Sequence, residues 1–265
     1  MKALILAAGE GKRLKPFTDT NPKCLLPFEG RSILDWQVDA MRLAGISGII
    51  CVKGHMADKI ARDDIKYYVN DRYASTNMVE TLFTARPEFT DSIVVSYGDI
   101  LYTADVLKAV TGSVHDIVVA VDDNWESYWK ARFEDPMTDA EALKMDGSGR
   151  ISVIGQTPSK LSDIQAGYIG LIKFTKRGLD MAIDSYARAA ETESKGGRPW
   201  GISRPLVKAY MTDMLQGLIN EGTPVYAARV KSGWFEIDSI RDYELAKSMF
   251  RNGDIRDTAS VSGRI

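Results

Sequence analysis

The sequence has few of the residues from which disulfide frameworks and zinc sites are built. Its 265 residues include two cysteines and two histidines. The cysteines, Cys24 and Cys51, show no metal-ligand spacing and are too few for a disulfide framework. We therefore expect both thiols to be structural.

Long apolar runs and an excess of one charge are also absent. No stretch reaches the ~20 apolar residues that a membrane-spanning helix needs, and the opening apolar run is too short for a secretion signal. The formal net charge is −2, so the chain as a whole does not attract nucleic acid or anionic lipid. We expect a cytoplasmic protein that neither binds nucleic acid nor inserts into a membrane. Its oligomeric state is not indicated.

Apolar runs of strand length alternate with amphipathic stretches over residues 1–121. This pattern predicts strands at 2–8, 48–52, 66–69, 92–96 and 117–121, and helices at 32–44, 56–62 and 77–85. The alternating order predicts an α/β fold with a mainly parallel sheet and helices on both faces.

From residue 122 the composition changes. Residues 122–139 are rich in aromatic and charged side chains and are predicted as strand or loop, and a hairpin is predicted at 140–145 and 150–154. Further strands are predicted at 167–174, 224–230 and 233–237, helices at 177–190, 204–220 and 240–250, and a loop at 191–201. We expect one domain over 1–251, followed by a flexible tail, 252–265.

The most informative stretch is residues 1–27, where an apolar strand leads directly into Gly9-Glu10-Gly11-Lys12-Arg13. Its glycines allow backbone N–H groups to approach an anion closely. Lys15 and Lys23 add further cations. A dinucleotide fingerprint is disfavoured because no helix starts at once, and no Gly-Lys-Ser/Thr of a Walker loop occurs. The stretch predicts a triphosphate site.

The pattern G-x-G-x-R-L-x-P-x-T, followed by N-P-K, resembles the signature of the nucleotidyltransferases that include sugar-1-phosphate nucleotidylyltransferases and phosphocholine cytidylyltransferases. The resemblance implies a Rossmann-like three-layer sandwich with a mainly parallel mixed sheet and a small β-rich substrate-binding insertion. Residues 1–121 would form its nucleotide-binding half, and 122–251 its acceptor-binding and second metal-ligand half. Arg13 and Lys23 would be catalytic. The nucleotide would contact Leu6, Ala7, Ala8, Gly9, Glu10, Gly11, Lys12, Thr76, Asn77 and Gly98.

Two carboxylates, Asp99 and Asp238, each follow an apolar strand. Together with nucleotide phosphates they would make an oxygen site suited to Mg²⁺, and the resemblance implies that role for both. Two alternatives remain open, since Gly98-Asp99 is also a common turn sequence and Asp238 could simply cap the following helix.

Two departures from the sugar enzymes favour the cytidylyltransferase branch. Residues 75–77 read Ser-Thr-Asn where sugar enzymes usually have Pro-Leu-Gly, and 156–158 read Gln-Thr-Pro without the usual phosphate-binding lysine, for which Lys160 could substitute. We expect CTP and a small phosphate or phosphonate, such as phosphocholine or aminoethylphosphonate. The alternatives are a sugar-1-phosphate enzyme using UTP, GTP or dTTP, and a catalytically silent member.

An aromatic cluster with nearby acids could hold a cationic head group or belong to the core. It contains Trp125, Tyr128, Trp129 and Tyr168, with Asp122, Asp123 and Glu126 beside them. In an extended segment, Trp125 and Trp129 would share a face and Tyr128 would lie opposite. The candidate acceptor-binding residues are Trp129, Tyr128, Tyr168, Trp234 and Glu236.

Overall fold

The structure is a computed structural model that describes residues 1–252. Its strands are β1 Lys2–Ala7, β2 Pro27–Phe28, β3 Arg31–Ser32, β4 Ile49–Lys53, β5 Lys66–Val69, β6 Ile93–Tyr97, β7 Ile100–Tyr102, β8 Ile117–Asp122, β9 Ala142–Met145, β10 Ile151–Gln156, β11 Gly167–Phe174, β12 Tyr226–Val230 and β13 Trp234–Glu236. Its α-helices are α1 Ile33–Leu43, α2 Met78–Thr84, α3 Ala104–Thr111, α4 Trp125–Arg132, α5 Lys176–Ser194, α6 Met211–Asn220 and α7 Ile240–Asn252.

The central sheet has seven strands in the order β12-β8-β11-β6-β1-β4-β5. β11 runs antiparallel to both of its neighbours, and every other adjacent pair is parallel. The predicted mainly parallel mixed sheet is therefore confirmed. β1 and β6 are parallel neighbours, so their carboxyl ends lie together at one edge of the sheet, where open α/β folds bind ligands.

The two faces of the sheet bury two separate apolar cores, which confirms the three-layer sandwich. Along β1, Ala3 and Ile5 belong to the core under α1 and α3, whereas Leu4 and Leu6 belong to the core under α2, α5 and α6. A strand covered on both faces reads as a continuous apolar run, which is why the opening of the sequence shows no alternation. Full burial of a leucine or isoleucine side chain contributes about 1.5–3 kcal/mol to stability.

The largest difference from the sequence prediction lies at 122–139, where the prediction of strand or loop is wrong. Residues Trp125–Arg132 form α4. The aromatic residues at 125, 128 and 129 are spaced i, i+3 and i+4, so they share one face of a helix and not two faces of a strand.

Several element boundaries also differ. The helix predicted at 204–220 begins only at Met211, because backbone oxygens of Val207 and Ala209 instead accept hydrogen bonds from Asn77 and Val79. The predicted helix 56–62 is a single 3₁₀ turn, and α5 extends into the predicted loop 191–201. The sequence did not predict β7 or α3. The hairpin is confirmed as β9 and β10, and the predicted tail beyond Asn252 lies outside the described residues.

Both cysteines are buried free thiols. Burial raises the pKa of Cys24 to about 12, so its thiol stays neutral although it borders the ligand cleft. Among residues 1–252, no helix combines the length and apolar composition that crossing a membrane requires.

Candidate active site

Three adjoining cavities form one cleft at the carboxyl edge of β1 and β6. We name the three after the ligands that the sequence predicts for them. The nucleotide cavity, about 150 Å³, lies over the ends of these strands. The phosphate cradle is bordered by residues 9–13, and the acceptor cavity, about 190 Å³, lies between α4, β11 and β13. Met78 and Tyr97 border all three, so a ligand can extend from one cavity to the next.

The predicted nucleotide-binding residues all line this cleft. Those on the nucleotide cavity are Leu6, Ala7, Ala8, Gly9, Thr76, Asn77 and Gly98. Those on the phosphate cradle are Gly9, Glu10, Gly11 and Lys12.

Neighbouring atoms in the cleft lie so close to the backbone at two positions that only glycine fits there. Gly11 has φ +64°, and a Cβ there would lie 3.0 Å from Thr18 Cγ2, while the Thr18 hydroxyl donates a 2.9 Å hydrogen bond to the Gly11 carbonyl. A Cβ at Gly98 would lie 2.8 Å from the Leu6 carbonyl oxygen. Both positions therefore exclude larger residues and keep the backbone close to the ligand space.

Lys23 joins the two predicted metal ligands. Its Nζ donates to Asp99 Oδ2 at 2.8 Å and to Asp238 Oδ1 at 2.7 Å, and its side chain is only 11% exposed. One lysine and two carboxylates from distant parts of the chain thus meet at the phosphate cradle. A charge held this way is oriented before any ligand arrives.

The pairing of β7 with β13 brings the two aspartates together. These strands run antiparallel with Glu236 opposite Ile100, and the Ile237 N–H donates to the Asp99 carbonyl at 2.9 Å. Asp99 immediately precedes β7, and Asp238 follows β13. The antiparallel register therefore places both carboxylates at the same end of the ribbon.

Asp238 is not the cap of α7. The Ser239 hydroxyl accepts from the Asp242 N–H at 3.2 Å, and the Asp242 carboxylate accepts from the Ser239 N–H at 2.9 Å, so these two residues form the capping pair. The Asp238 side chain is left to face the cleft. The capping alternative for Asp238 is therefore wrong.

Gln37 supports the turn that carries Asp99, and sequence reasoning did not identify it. From the buried face of α1, its Nε2 donates to the carbonyls of Tyr97 at 2.6 Å and Ile100 at 2.7 Å, on either side of Gly98-Asp99. The available signal was a polar residue among the apolar positions of the predicted helix 32–44.

The two aspartates suit a magnesium ion that is also held by phosphates. Asp99 Oδ1 is buried and has no hydrogen-bond partner among the described residues. Within residues 1–252, no cluster of three or more His, Cys, Asp or Glu could hold a metal by itself. Mg²⁺ commonly takes one or two carboxylates and completes its shell with waters and substrate phosphates, so the donor set fits it.

The other cations of the cradle are exposed. The Arg13 side chain is 65% exposed and contacts Asp238, and the Lys12 side chain is 76% exposed and pairs with Glu10 at 2.5 Å. Exposed ion pairs are weak, so both cations can exchange these partners for phosphate oxygens. Lys15 borders none of the three cavities.

The loop before α2 is held by a buried amide. Asn70 Nδ2 donates to the hydroxyls of Thr76 at 3.0 Å and Thr81 at 3.1 Å. The Asn77 side chain accepts from the Met78 N–H at 2.8 Å and caps α2. Glu80 does not complete a capping box; it pairs with Arg72 at 2.6 Å. The loop therefore presents Thr76 and Asn77 to the nucleotide cavity from a fixed backbone.

The predicted acceptor residues divide into two groups. Trp129, Tyr168, Trp234 and Glu236 border the acceptor cavity, as does Trp125. Tyr128 does not border it, and its hydroxyl accepts a 2.9 Å hydrogen bond from the Glu236 N–H behind the cavity wall. The structure therefore assigns Tyr128 to the support of Glu236.

The acids of the acceptor cavity are not those nearest the tryptophans in sequence. Asp122 accepts from Trp234 Nε1 at 2.9 Å, Asp123 pairs with Arg229, and Glu126 pairs with Lys130. The cavity is instead bordered by Asp139, Glu141, Glu236 and Asp238, with Arg13 as the cation among its described lining residues. The cavity is thus acidic and aromatic.

Two of these carboxyls have raised pKa values. Glu141 is exposed to the open cleft, but the surrounding walls limit its hydration, and this effect, followed by the nearby charges of Asp139 and Asp213, raises its pKa to about 7. Burial raises the pKa of Glu236, although the charge of Arg132 opposes the shift. Raised carboxyl pKa values in a cleft are typical of functional sites.

Arg132 is a buried support for this wall that sequence reasoning also missed. Its side chain is 1% exposed, its Nε donates to Asp242 at 2.9 Å, and its Nη1 lies 2.5 Å from Glu236 Oε2. Burial disfavours the charge of Arg132, but Glu236 and Asp242 outweigh that effect and raise its pKa. No local sequence pattern pairs residue 132 with residues 236 and 242.

Comparison with known proteins gives consistent matches. The model of the MobA-like NTP transferase domain family matches residues 3–167. A CTP:phosphoglutamine cytidylyltransferase from Campylobacter jejuni is 33% identical over 256 residues, 92% of this chain and 98% of that protein. A choline-phosphate cytidylyltransferase from Streptococcus pneumoniae is 24% identical over 95% of this chain and 99% of that protein.

The fold is also found among solved structures. An inositol-1-phosphate CTP transferase from T. maritima has a TM-score of 0.70 and 20% sequence identity, over 96% of this chain and 97% of that one. At this identity the likeness shows that the two chains share a fold.

Proposed function

The chain belongs to the family of MobA-like NTP transferase domains, and we propose that it is a Mg²⁺-dependent cytidylyltransferase. In the proposed reaction, an oxygen of a small phosphate or phosphonate acceptor attacks the α-phosphorus of CTP. The bond from that phosphorus to the oxygen bridging the α- and β-phosphates breaks, and pyrophosphate leaves with the electron pair. The product is a CDP-linked compound.

The observation that carries this proposal is the meeting of Lys23, Asp99 and Asp238 in the phosphate cradle, between the nucleotide and acceptor cavities. In-line transfer between two polyanions needs charge neutralisation and positioning more than a proton base. A largely buried lysine held by two carboxylates supplies a fixed charge at the point where the reacting groups would meet.

We assign the residues of the cradle as follows. Lys23 neutralises the α-phosphate and the acceptor anion, and Arg13 with Lys12 binds the triphosphate and the departing pyrophosphate. Mg²⁺ would be held by Asp99 and Asp238, and when bound it neutralises phosphate charge. The Gly9–Gly11 backbone and the loop at Thr76, which line the adjoining cavities, would hold the nucleotide.

The choice of cytidine rests on two kinds of support. Two relatives that align over nearly the whole chain are named as cytidylyltransferases. The loop at Ser75-Thr76-Asn77 offers small polar side chains, which suit the exocyclic amine and carbonyl of a pyrimidine. Lys160, the possible substitute for the lysine of sugar enzymes, does not border the acceptor cavity, which disfavours a sugar phosphate.

Pyrophosphate release with Mg²⁺ and a panel of nucleotides and acceptors tests the proposal. CTP is expected to support release with phosphorylated small molecules, and mass spectrometry should show the CDP-linked product. UTP, GTP and dTTP should be much poorer. Equal use of UTP with a sugar 1-phosphate would favour the sugar enzyme, and no turnover with any pair would favour a catalytically silent member.

Asp99→Asn and Asp238→Asn should each raise the Mg²⁺ concentration needed for half-maximal activity. Because both act on one ion, the loss in the double variant should be smaller than the product of the single losses. Magnesium titrations of the three variants measure this. Losses that multiply fully would show that the two carboxylates do not share a metal.

A further inference from the structure

Two side chains stand where the three cavities of the cleft meet. Among residues 1–252, the nucleotide and acceptor cavities share two lining residues, Met78 and Tyr97, and both also border the phosphate cradle. The sequence analysis assigned no role to either residue. We call this pair the partition, because it lies between the space for the nucleotide and the space for the acceptor.

The charged groups of the proposed reaction are distributed on both sides of the partition. Lys23 and Asp99 border the nucleotide cavity and the cradle, whereas Arg13 and Asp238 border the acceptor cavity and the cradle. The cradle is therefore the space that both sets of charges reach. The nucleotide and the acceptor would meet there, directly beside Tyr97.

The ring of Tyr97 is held in place by its neighbours. Tyr97 is the last residue of β6, and its carbonyl accepts from Gln37 Nε2 at 2.6 Å. On the adjacent strand β11, a Cβ at Gly170 would lie 2.8 Å from Tyr97 Cδ2 and 2.9 Å from its Cγ. Gly170 has φ +82°, and β11 shifts its register against β8 around this residue. The irregular strand thus leaves room for the ring, as bulges beside functional sites commonly do.

The partition therefore has one rigid member and one flexible member. Tyr168 stands edge-on to the ring of Tyr97, with their centroids 5.8 Å apart, so the ring cannot move without disturbing β11. Met78, in contrast, has an unbranched side chain that adapts to its surroundings. Tyr97 is the member that can set a fixed distance between two substrates.

The rigid member carries no charge. Desolvation by the packed neighbours, followed by the nearby Tyr168, raises the pKa of Tyr97, so its phenol keeps its proton. A neutral ring next to two polyanions contributes shape more than binding charge. Shape matters at this point for two reasons. In-line transfer needs the acceptor oxygen held close to the α-phosphorus in the correct direction, and water must be kept from the same phosphorus because it competes as a nucleophile.

We propose that Tyr97 determines the balance between transfer and hydrolysis: its ring directs the acceptor oxygen onto the α-phosphorus and excludes water from that position. This inference rests on the cytidylyltransferase function proposed above and adds to it a residue that protects the nucleotide. Without the ring, the oxygen of a water molecule would attack the α-phosphorus, and the bond to the bridging oxygen would break. The products would be CMP and pyrophosphate, and the proton of the water would pass to the solvent.

The test measures pyrophosphate release from CTP and Mg²⁺, with and without the best acceptor of the panel above, and quantifies CMP by chromatography. In Tyr97→Leu, acceptor-dependent release should fall by about tenfold or more, since small misplacements of reacting groups have effects of this size. The CMP formed for each transfer event should rise by about tenfold or more. Tyr97→Phe keeps the ring, so both rates should stay within about threefold of the wild type.

Tyr73→Leu is the matched control. It makes the same substitution at a residue that borders the nucleotide cavity but neither the acceptor cavity nor the cradle. It should raise the KM for CTP without raising the share of CMP. Gly170→Ala is a second way to displace the ring, because the added Cβ would collide with it, and it should change the share of CMP in the same direction as Tyr97→Leu.

Melting temperatures check that each variant is folded, and Tyr97→Met replaces Tyr97→Leu if that variant is not. A Tyr97→Leu enzyme in which transfer and CMP formation fall together would overturn the inference and leave the cytidylyltransferase function standing. An equal gain of CMP in Tyr73→Leu would do the same. A wild type that releases no pyrophosphate with any nucleotide and acceptor would instead refute the proposed function, and this inference with it.

Discussion

Replacing Lys23 with methionine is expected to lower kcat by about 10²-fold or more, because a preorganised charge acts mainly on the transition state. Methionine keeps an apolar chain of similar length and removes the ammonium that joins Asp99 to Asp238. The effect should appear in kcat more than in the KM for CTP, since Lys12 and Arg13, the proposed ligands of the triphosphate, are unchanged. Steady-state pyrophosphate release measures both parameters.

Lys15→Met is the control for this experiment. Lys15 lies on the same loop, but its ammonium pairs with Asp19 at 3.2 Å and borders no cavity of the cleft. The kcat of the Lys15→Met variant should stay close to that of the wild type. A Lys23→Met enzyme with unaltered kcat would remove Lys23 from the proposed mechanism, provided that the variant melts as a folded protein.

Replacing Arg132 with methionine should destabilise the protein by about 3–5 kcal/mol, the usual cost of removing one partner from a buried ion pair. Asp242 and Glu236 would lose their buried counter-charge. Asp242 also accepts from the Ser239 N–H at the start of α7, so the end of the loop that carries Asp238 should loosen as well. Urea unfolding, analysed by linear extrapolation, gives the change in free energy.

The neighbouring Lys130→Met is the matched comparison for stability. Lys130 pairs with Glu126 on the exposed side of α4, and an exposed pair of this spacing contributes about 0.3–0.5 kcal/mol. Arg132→Lys should restore part of the stability, since it keeps a charge but not the forked geometry. Similar losses for Arg132→Met and Lys130→Met would show that the Arg132 network does not stabilise the fold.

The nucleotide side of the cleft was largely predictable from the sequence because its determinants are local. Gly9 and Gly11 directly follow the first strand, and their spacing to Arg13 lies within one short stretch. Apolar runs that alternate with amphipathic stretches likewise predict the parallel sheet, since each element shows its own burial in its own residues. In the structure, all ten residues predicted to contact the nucleotide line one cleft.

The acceptor side depends on contacts between distant segments. A strand period and a helical period both place Trp125 and Trp129 on one face, so this pair could not distinguish them, and only Tyr128 shows the difference between the two predictions. In α4 its hydroxyl reaches the backbone of Glu236, more than a hundred residues along the chain. The local preferences of residues near Tyr128 cannot predict a contact with a residue so far along the chain.

The sequence by itself determined the fold class and the phosphate cradle, because glycine conformation and strand burial are properties of neighbouring residues. Only the tertiary structure decided how Lys23, Asp99 and Asp238 meet, through the antiparallel register of β7 with β13. It also decided that Gln37 and Arg132 support the site. The hydrogen-bond and ion-pair partners of these buried groups come from distant parts of the chain. The physical reason is that a buried polar group must pair with whatever groups the fold places beside it.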